Sequence, residues 1–221
     1  NAPGLGAGVD GPRDDGGARP LDRGRPLTPD AGPLPADERA LISRCQSGDG
    51  RAFAALMDLY RHKIFSLTQR VCAQAPAEAD DVFQETFLTA FKEIQKFRGA
   101  SRLGTWLYRI ASNLCWTRLR RRRRAVSLGG EEGLPPDLAR GLLSPPDDPA
   151  ETARQREIQR AVGEALARLS VDYRMVVALS DLRGLKNETI AGALSLSLSA
   201  VKSRLHRGRN MLKKQLKLHR P

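Results

Sequence analysis

The sequence predicts an all-α chain: two small helical modules joined by a flexible linker, the C-terminal one carrying a helix-turn-helix. Three observations predict it. From Asp37 onward, apolar residues recur three and four apart, and no useful stretch alternates as a strand does. A Pro/Gly-rich, mildly acidic segment at 126–150 interrupts that pattern. Near the end, GLKNETIAGALSLSLSAVKSRLHRGRNMLKKQLK (Gly184 to Lys217) reads as a short helix, a tight polar turn and a second helix loaded with Lys and Arg.

The elements follow in order. Residues 1–35 offer almost nothing to a core and are expected to be a disordered tail. Asp37 and Glu38 open a helix through Leu41, Ile42 and Cys45 that Gly48 closes. Asp49 is placed to cap the next helix, whose apolar positions are Phe53, Leu56, Met57, Tyr60, Ile64, Leu67 and Val71. Pro76 starts a third, with Val82, Phe83, Phe87, Leu88, Phe91 and Ile94 as its apolar face. KFRGASRLG, Lys96 to Gly104, is a loop; Thr105 then caps a fourth helix, turning Trp106, Leu107, Ile110, Leu114 and Leu119 inward. Beyond the linker, Ile158, Val162, Leu166 and Leu169 form one stripe, and Ser170 caps a helix bearing Val171, Met175, Val176 and Leu179. The expected divisions are therefore a tail (1–35), a first module (36–125), a linker (126–150) and a second module (151–221).

Charge narrows the partner. The 221 residues carry 37 Lys+Arg against 25 Asp+Glu, a net +12. The tail holds four Arg and five Asp, whereas residues 185–221 hold nine Lys+Arg and one Glu. A basic excess concentrated on particular helices points to a polyanion, nucleic acid above all. No apolar run approaches the roughly 18 residues of a membrane span, and the N-terminal stretch lacks the apolar segment of a secretion signal. No membrane insertion and a cytoplasmic location are expected. Cys45, Cys72 and Cys115 are odd in number, lack C-x-x-C spacing and do not cluster with His62, His206 or His219. Inert thiols, no metal site and no cofactor are the expectation.

The second helix of the turn motif can be read by angle. At about 100° per residue, Val201, Leu205 and Leu212 share the core face. Opposite them lie Ser203, His206, Arg207, Asn210 and Lys214, with Ser199 at the N-terminal end. Recognition helices touch bases with their first turns and hold phosphates at their edges. Ser199, Ser203, His206 and Arg207 are thus expected near bases, and Lys202, Arg204 and Arg209 on the backbone. Arg207 is the expected guanine reader, its fork matching O6 and N7. A solvated basic face on an ordinary helical hairpin is the alternative. Upstream, Arg118 and Arg120 to Arg124 could hold about six phosphates, making binding steeply salt-dependent.

Two long motifs carry a family resemblance. AEADDVFQETFLTAFKEIQKFRG (Ala77 to Gly99) followed by TWLYRIASNLCWTRLRRRRR (Thr105 to Arg124) resembles region 2 of the extracytoplasmic-function (ECF) bacterial sigma factors. LARLSVDYRMVVALSDLRGLKNETIAGALSLSLSAVKSRLHRGRNML (Leu166 to Leu212) resembles their region 4. The resemblance implies that Asp80, Asp81, Gln84 and Glu85 dock on the clamp helices of core RNA polymerase, with region 4 toward its flap. It implies that the loop bearing Lys96, Arg98 and Arg102, and the helix bearing Trp106, Arg109, Asn113, Arg118, Arg120 and Arg121, engage the −10 element as single strand, with one base extruded. It implies that Ser199, Ala200, Lys202, Ser203, Arg204, His206 and Arg207 meet the −35 element as duplex. The family often has Gly-Thr where this chain has Ser199-Ala200, so an altered −35 preference follows. Thr117 stands where an Asp is common, and region 3 is absent, as in the group.

The function implied is a transcription initiation factor with no covalent chemistry of its own, whose partners are core polymerase, promoter DNA and an anti-sigma factor. About 25 flexible linker residues reach 25–30 Å root-mean-square, adequate to span two promoter elements, and tethering makes two weak modules bind tightly together. A stand-alone helix-turn-helix regulator is the alternative. A metal-dependent nuclease built on Asp80, Asp81 and Glu85 is a third reading, but no third ligand or catalytic base accompanies Asp81 and Glu85 on their shared face.

Overall fold

A computed structural model describes residues 35–127 and 149–218. The expected tail and most of the linker lie outside them. Eight α-helices follow one another: α1 (Ala36–Gln46), α2 (Gly50–Val71), α3 (Pro76–Glu93), α4 (Leu103–Ser127), α5 (Pro149–Ala167), α6 (Val171–Val177), α7 (Asn187–Leu194) and α8 (Leu198–Leu218). A 3-10 turn (Ile94–Lys96) extends α3, and a π turn (Ala178–Leu182) extends α6. No strand occurs among the described residues.

Local chemistry sets the helix ends. The Asp49 carboxylate accepts the Arg51 and Ala52 amides at 2.9 and 3.0 Å, capping α2, and takes a two-pronged bond from Arg44. Pro76 occupies the first turn of α3, where its missing N–H costs nothing. Ser170 precedes α6 as expected, but its backbone carbonyl, accepting the Arg174 amide, starts the helix; its hydroxyl makes no cap. Thr105 does not cap α4. The helix begins two residues earlier, with the Trp106 amide on the Arg102 carbonyl, and Thr105 is buried. The reason is packing: Leu103 is fully buried, and Gly104 meets Tyr60 so closely that a Cβ there would lie 2.8 Å from the ring.

In the first module α2, α3 and α4 pack on one another, with α1 against α2. Ile64, Leu67, Val71, Val82, Leu103 and Ala111 fill their centre. Two residues assigned to the apolar face of α3 lie elsewhere: Leu88 and Phe91 are 60% and 56% exposed. Ile158, assigned to the α5 stripe, is also exposed. In the second module α6, α7 and α5 pack on α8, around Leu166, Val176, Leu179, Ile190 and Val201. Gly208 lets α8 cross α6 closely, since a Cβ there would stand 2.8 Å from Val177 Cγ2.

The sequence did not announce that the modules pack together. Their cores form one continuous apolar cluster, α4 lies against α6 and α7, and α2 against α5, α6 and the π turn. Arg174, fully buried, donates from Nη1 to the Val71 carbonyl and from Nη2 to the Ala167 and Leu169 carbonyls, each at 2.7 Å. Val71 and Ala167 are the last residues of α2 and α5, so one guanidinium satisfies orphan carbonyls at two helix ends. Gln74 Nε2 adds a bond to the Ala167 carbonyl at 2.6 Å, and Arg183 bonds the Ser66 hydroxyl.

Candidate nucleic-acid interface

The turn motif is a helix-turn-helix. α7 ends at Ser195, whose left-handed backbone (φ 53°) lets its amide close the helix on Ala191 and Gly192. The chain reverses and enters α8, where the Ser197 hydroxyl accepts the Ala200 amide at 3.1 Å. Ser197 is the cap that the sequence reading missed; a Ser three positions before the first amide to be satisfied was its signal.

Along α8 the angular reading describes the observed faces. Val201 and Leu205 are buried and Leu212 is half-buried, while Ser199, Lys202, Ser203, His206 and Arg207 are exposed. Asn210 and His206 join side chains at 3.0 Å, one turn apart. Ala200 and Arg204 are half-buried. Arg204 points to Asp172 at the start of α6, 3.3 Å away, rather than outward. Arg209 pairs with Asp181 and bonds the Ser180 hydroxyl, and the Asp181 carboxylate holds its guanidinium above the usual arginine range. Of the edge cations, Lys202 is exposed and, among the described residues, outside any ion pair.

The first module offers two surfaces. α3 presents Asp80, Asp81, Gln84, Leu88 and Phe91 along one exposed side, acidic at its N-terminal end and apolar at its C-terminal end. Asp80 takes a bond from Gln69 at 2.7 Å. The second surface is the loop and helix around α4. Lys96 pairs with Glu93 at 3.0 Å, Arg98 and Arg102 are exposed, and Arg109 and Asn113 are half-buried. Trp106 is a core residue, 7% exposed, its ring 5.3 Å from Phe97. No group of three His, Cys, Asp or Glu that could hold a metal occurs among the described residues.

Two model matches decide the family: sigma-70 region 2 over residues 56–125 and sigma-70 region 4 over residues 159–212. The ECF RNA polymerase sigma factor SigW of Bacillus subtilis is 33% identical over 183 residues, which cover 80% of this chain and 95% of that protein. The chain belongs to the ECF sigma factors. The RNA polymerase sigma-H factor of Pseudomonas aeruginosa is 35% identical over 184 residues, covering 81% and 93% of the two chains. Among solved structures, CnrH in complex with the cytosolic domain of CnrY superposes with a TM-score of 0.56 at 27% identity, covering 82% of this chain and 98% of that one. RpoE of Bartonella quintana, in complex with the anti-sigma factor NepR, shares the fold with a TM-score of 0.61 at 24% identity.

Within this sigma factor, the structure joins two sites that the sequence kept apart. Arg118, assigned to the −10 DNA, reaches back to α3: Nη1 pairs with Glu78 at 3.0 Å and Asp81 at 2.9 Å, and Nη2 pairs with Glu85 at 2.7 Å. Its guanidinium is held above the usual arginine range by Glu85 first, then Glu78 and Asp81. One of the cations expected on the melting surface therefore pairs with the acidic helix expected to dock the polymerase. Arg120 stacks over the Trp116 ring, 4.5 Å from its centre, and Arg121 is exposed. The side chains of Arg123 and Arg124 lie outside the described residues. Trp116 in turn donates to Asp172, 3.4 Å away, so Asp172 links the region 2 helix α4 to the region 4 helix α8. Glu78, Asp172 and Asp181 were not foreseen, because their partners lie 28 to 56 residues away in the chain.

Proposed function

We propose that this sigma factor binds core RNA polymerase through the exposed side of α3, directs it to −35/−10 promoters and helps open the −10 DNA. The carrying observation is the ordered pair of sigma regions 2 and 4 in one chain, similar over most of its length to RNA polymerase sigma factors. The surface chemistry supports a division of labour. α3 combines carboxylates with Leu88 and Phe91, large apolar side chains left in solvent, as a protein-docking face does. Lys202, Ser203, His206 and Arg207 stand on the exposed face of α8, suited to bases and phosphates of duplex DNA. Lys96, Arg98, Arg102, Arg109, Asn113, Arg120 and Arg121 supply the −10 surface; Trp106 supports it from within.

In this reading the factor carries out no covalent chemistry. Like relatives held by an anti-sigma factor, it is restrained by a protein that covers its polymerase and DNA faces. It acts in the cytoplasm, where polymerase and promoter meet; among the described residues no helix is long and apolar enough to cross a membrane. Run-off transcription with purified core polymerase tests the reading. Transcripts starting at discrete sites only when the factor is added support it, and failure on every genomic fragment refutes it.

A further inference from the structure

Cys72 and Cys115, expected to be inert, lie side by side. Their sulfurs are 3.3 Å apart, and both residues are completely buried. Cys72 follows the last residue of α2 and Cys115 sits in the middle of α4, so the contact joins two helices 43 residues apart in the chain. Each also adjoins a residue that holds the other module: Val71 accepts from Arg174, and Trp116 donates to Asp172. The thiols therefore lie at the seam between the modules. Beside the apolar cluster that runs through it, the seam carries polar bonds from Arg174, Gln74, Arg183 and Trp116. Contacts between domains of one chain open locally at less than the free energy of global unfolding.

We propose that Cys72 and Cys115 are a disulfide-forming pair, shielded while the modules are packed and oxidised by hydroperoxides when they part. An approach of about 1 Å converts the contact into a bond of about 2.05 Å. One thiol loses its proton and, as thiolate, attacks a peroxide oxygen; the O–O bond breaks, a sulfenic acid forms, and the departing hydroxide takes up that proton as water. The second thiol attacks that sulfur, forming the S–S bond and releasing a second water. Two thiols and one hydrogen peroxide thus yield one disulfide and two waters. The neighbouring Cys72 sulfur first, and burial second, push the Cys115 thiol up, which makes the packed form unreactive. Cys45, buried in α1, has no recorded sulfur partner and serves as the internal control. The inference goes beyond promoter recognition and concerns which form of the chain an oxidant can modify.

The test treats the intact chain with hydrogen peroxide and maps peptides under non-reducing conditions. A cross-link between the peptides containing Cys72 and Cys115, with Cys45 still alkylated, is expected. A Gln74→Ala/Arg183→Gln chain, shown to remain folded by circular dichroism, loses two bonds across the seam. Its cross-linking is expected to run at least about fivefold faster, the effect of about 1 kcal/mol on opening. The proposal is overturned if peroxide leaves both cysteines reduced, oxidises them singly or pairs them with Cys45. A cross-linking rate that does not respond to the seam variant overturns it as well. None of these readouts depends on transcription.

Discussion

Arg174 donates to the carbonyl of Val71 across 103 residues of sequence, at 2.7 Å, with no solvent exposure. A buried guanidinium is costly unless its donors are used. Here it meets two helix C-termini whose last carbonyls need donors, and whose dipoles favour a cation. Replacing it with methionine keeps volume but strands the Val71 and Leu169 carbonyls and leaves Ala167 only its bond from Gln74. Arg174→Met is expected to lower unfolding free energy by about 3 kcal/mol or more, read from urea denaturation. Arg174→Lys should recover only part, because an ammonium lacks the planar fork that reaches both helix ends.

Arg118 and Arg121 separate two roles within one arginine run. Arg118 is occupied by Glu78, Asp81 and Glu85, whereas Arg121 is exposed. In holoenzyme binding to promoter DNA, followed by fluorescence anisotropy across a salt series, Arg121→Ala is expected to reduce the slope of log K against log salt by about 0.7–0.9. Arg118→Ala should leave that slope unchanged. It should instead lower the melting temperature of the chain, and the three carboxylates it leaves on α3 should repel one another more strongly at low salt.

Asp49 gives a pH signature. Its carboxyl is held below the usual carboxylate range, by the Ala52 amide first and by Arg44. A group with a depressed folded pKa stabilises the native state above its unfolded value of about 3.9, and that contribution disappears as pH falls through the folded value. Stability should therefore decline below about pH 4. Asp49→Asn, still able to cap, should flatten that acid limb while changing the melting temperature little at neutral pH.

What the sequence made legible was local and periodic. The capping Asp49, the Pro76 helix start and the inward stripe of Val201, Leu205 and Leu212 each follow from neighbours within about four positions. The exposed face of α8 came from the same arithmetic. What stayed hidden was the pairing of distant residues. Arg118 reads as one cation among six until α3 is laid beside α4, and Arg204 reads as a phosphate ligand until Asp172 appears beneath it. Leu88 and Phe91 fit an apolar stripe by spacing alone; only the packing shows that more than half of each stays exposed, even with the Phe91 ring against Phe53. The polar bonds across the seam left no periodic trace, because they join single side chains to helix-end carbonyls or to distant side chains.

Gly208 and Val177 form a pair that can be tested by a double-mutant cycle. A Cβ at position 208 would lie 2.8 Å from Val177 Cγ2, so α8 and α6 must separate to admit it. Gly208→Ala gains helix propensity but overpacks the crossing, and a net loss of about 1 kcal/mol is expected. Val177→Ala alone leaves a cavity. Combined, the two changes complement each other, and the cycle should return a favourable coupling of about 1 kcal/mol or more in thermal denaturation.

Arg207 and Lys202 differ in what they read. Both are exposed on α8, but only a guanidinium presents two parallel donors to a guanine edge. Lys202, near the helix start, supplies a point charge suited to phosphate. In holoenzyme binding to a −35 element randomised one base pair at a time, Arg207→Ala should relax preference at a single position, with a loss of about 1–3 kcal/mol confined to the preferred base. Lys202→Ala should weaken all sequences equally and lower the salt slope by about 1. Reversal of these two patterns would assign the guanine contact to Lys202 and place Arg207 on the backbone.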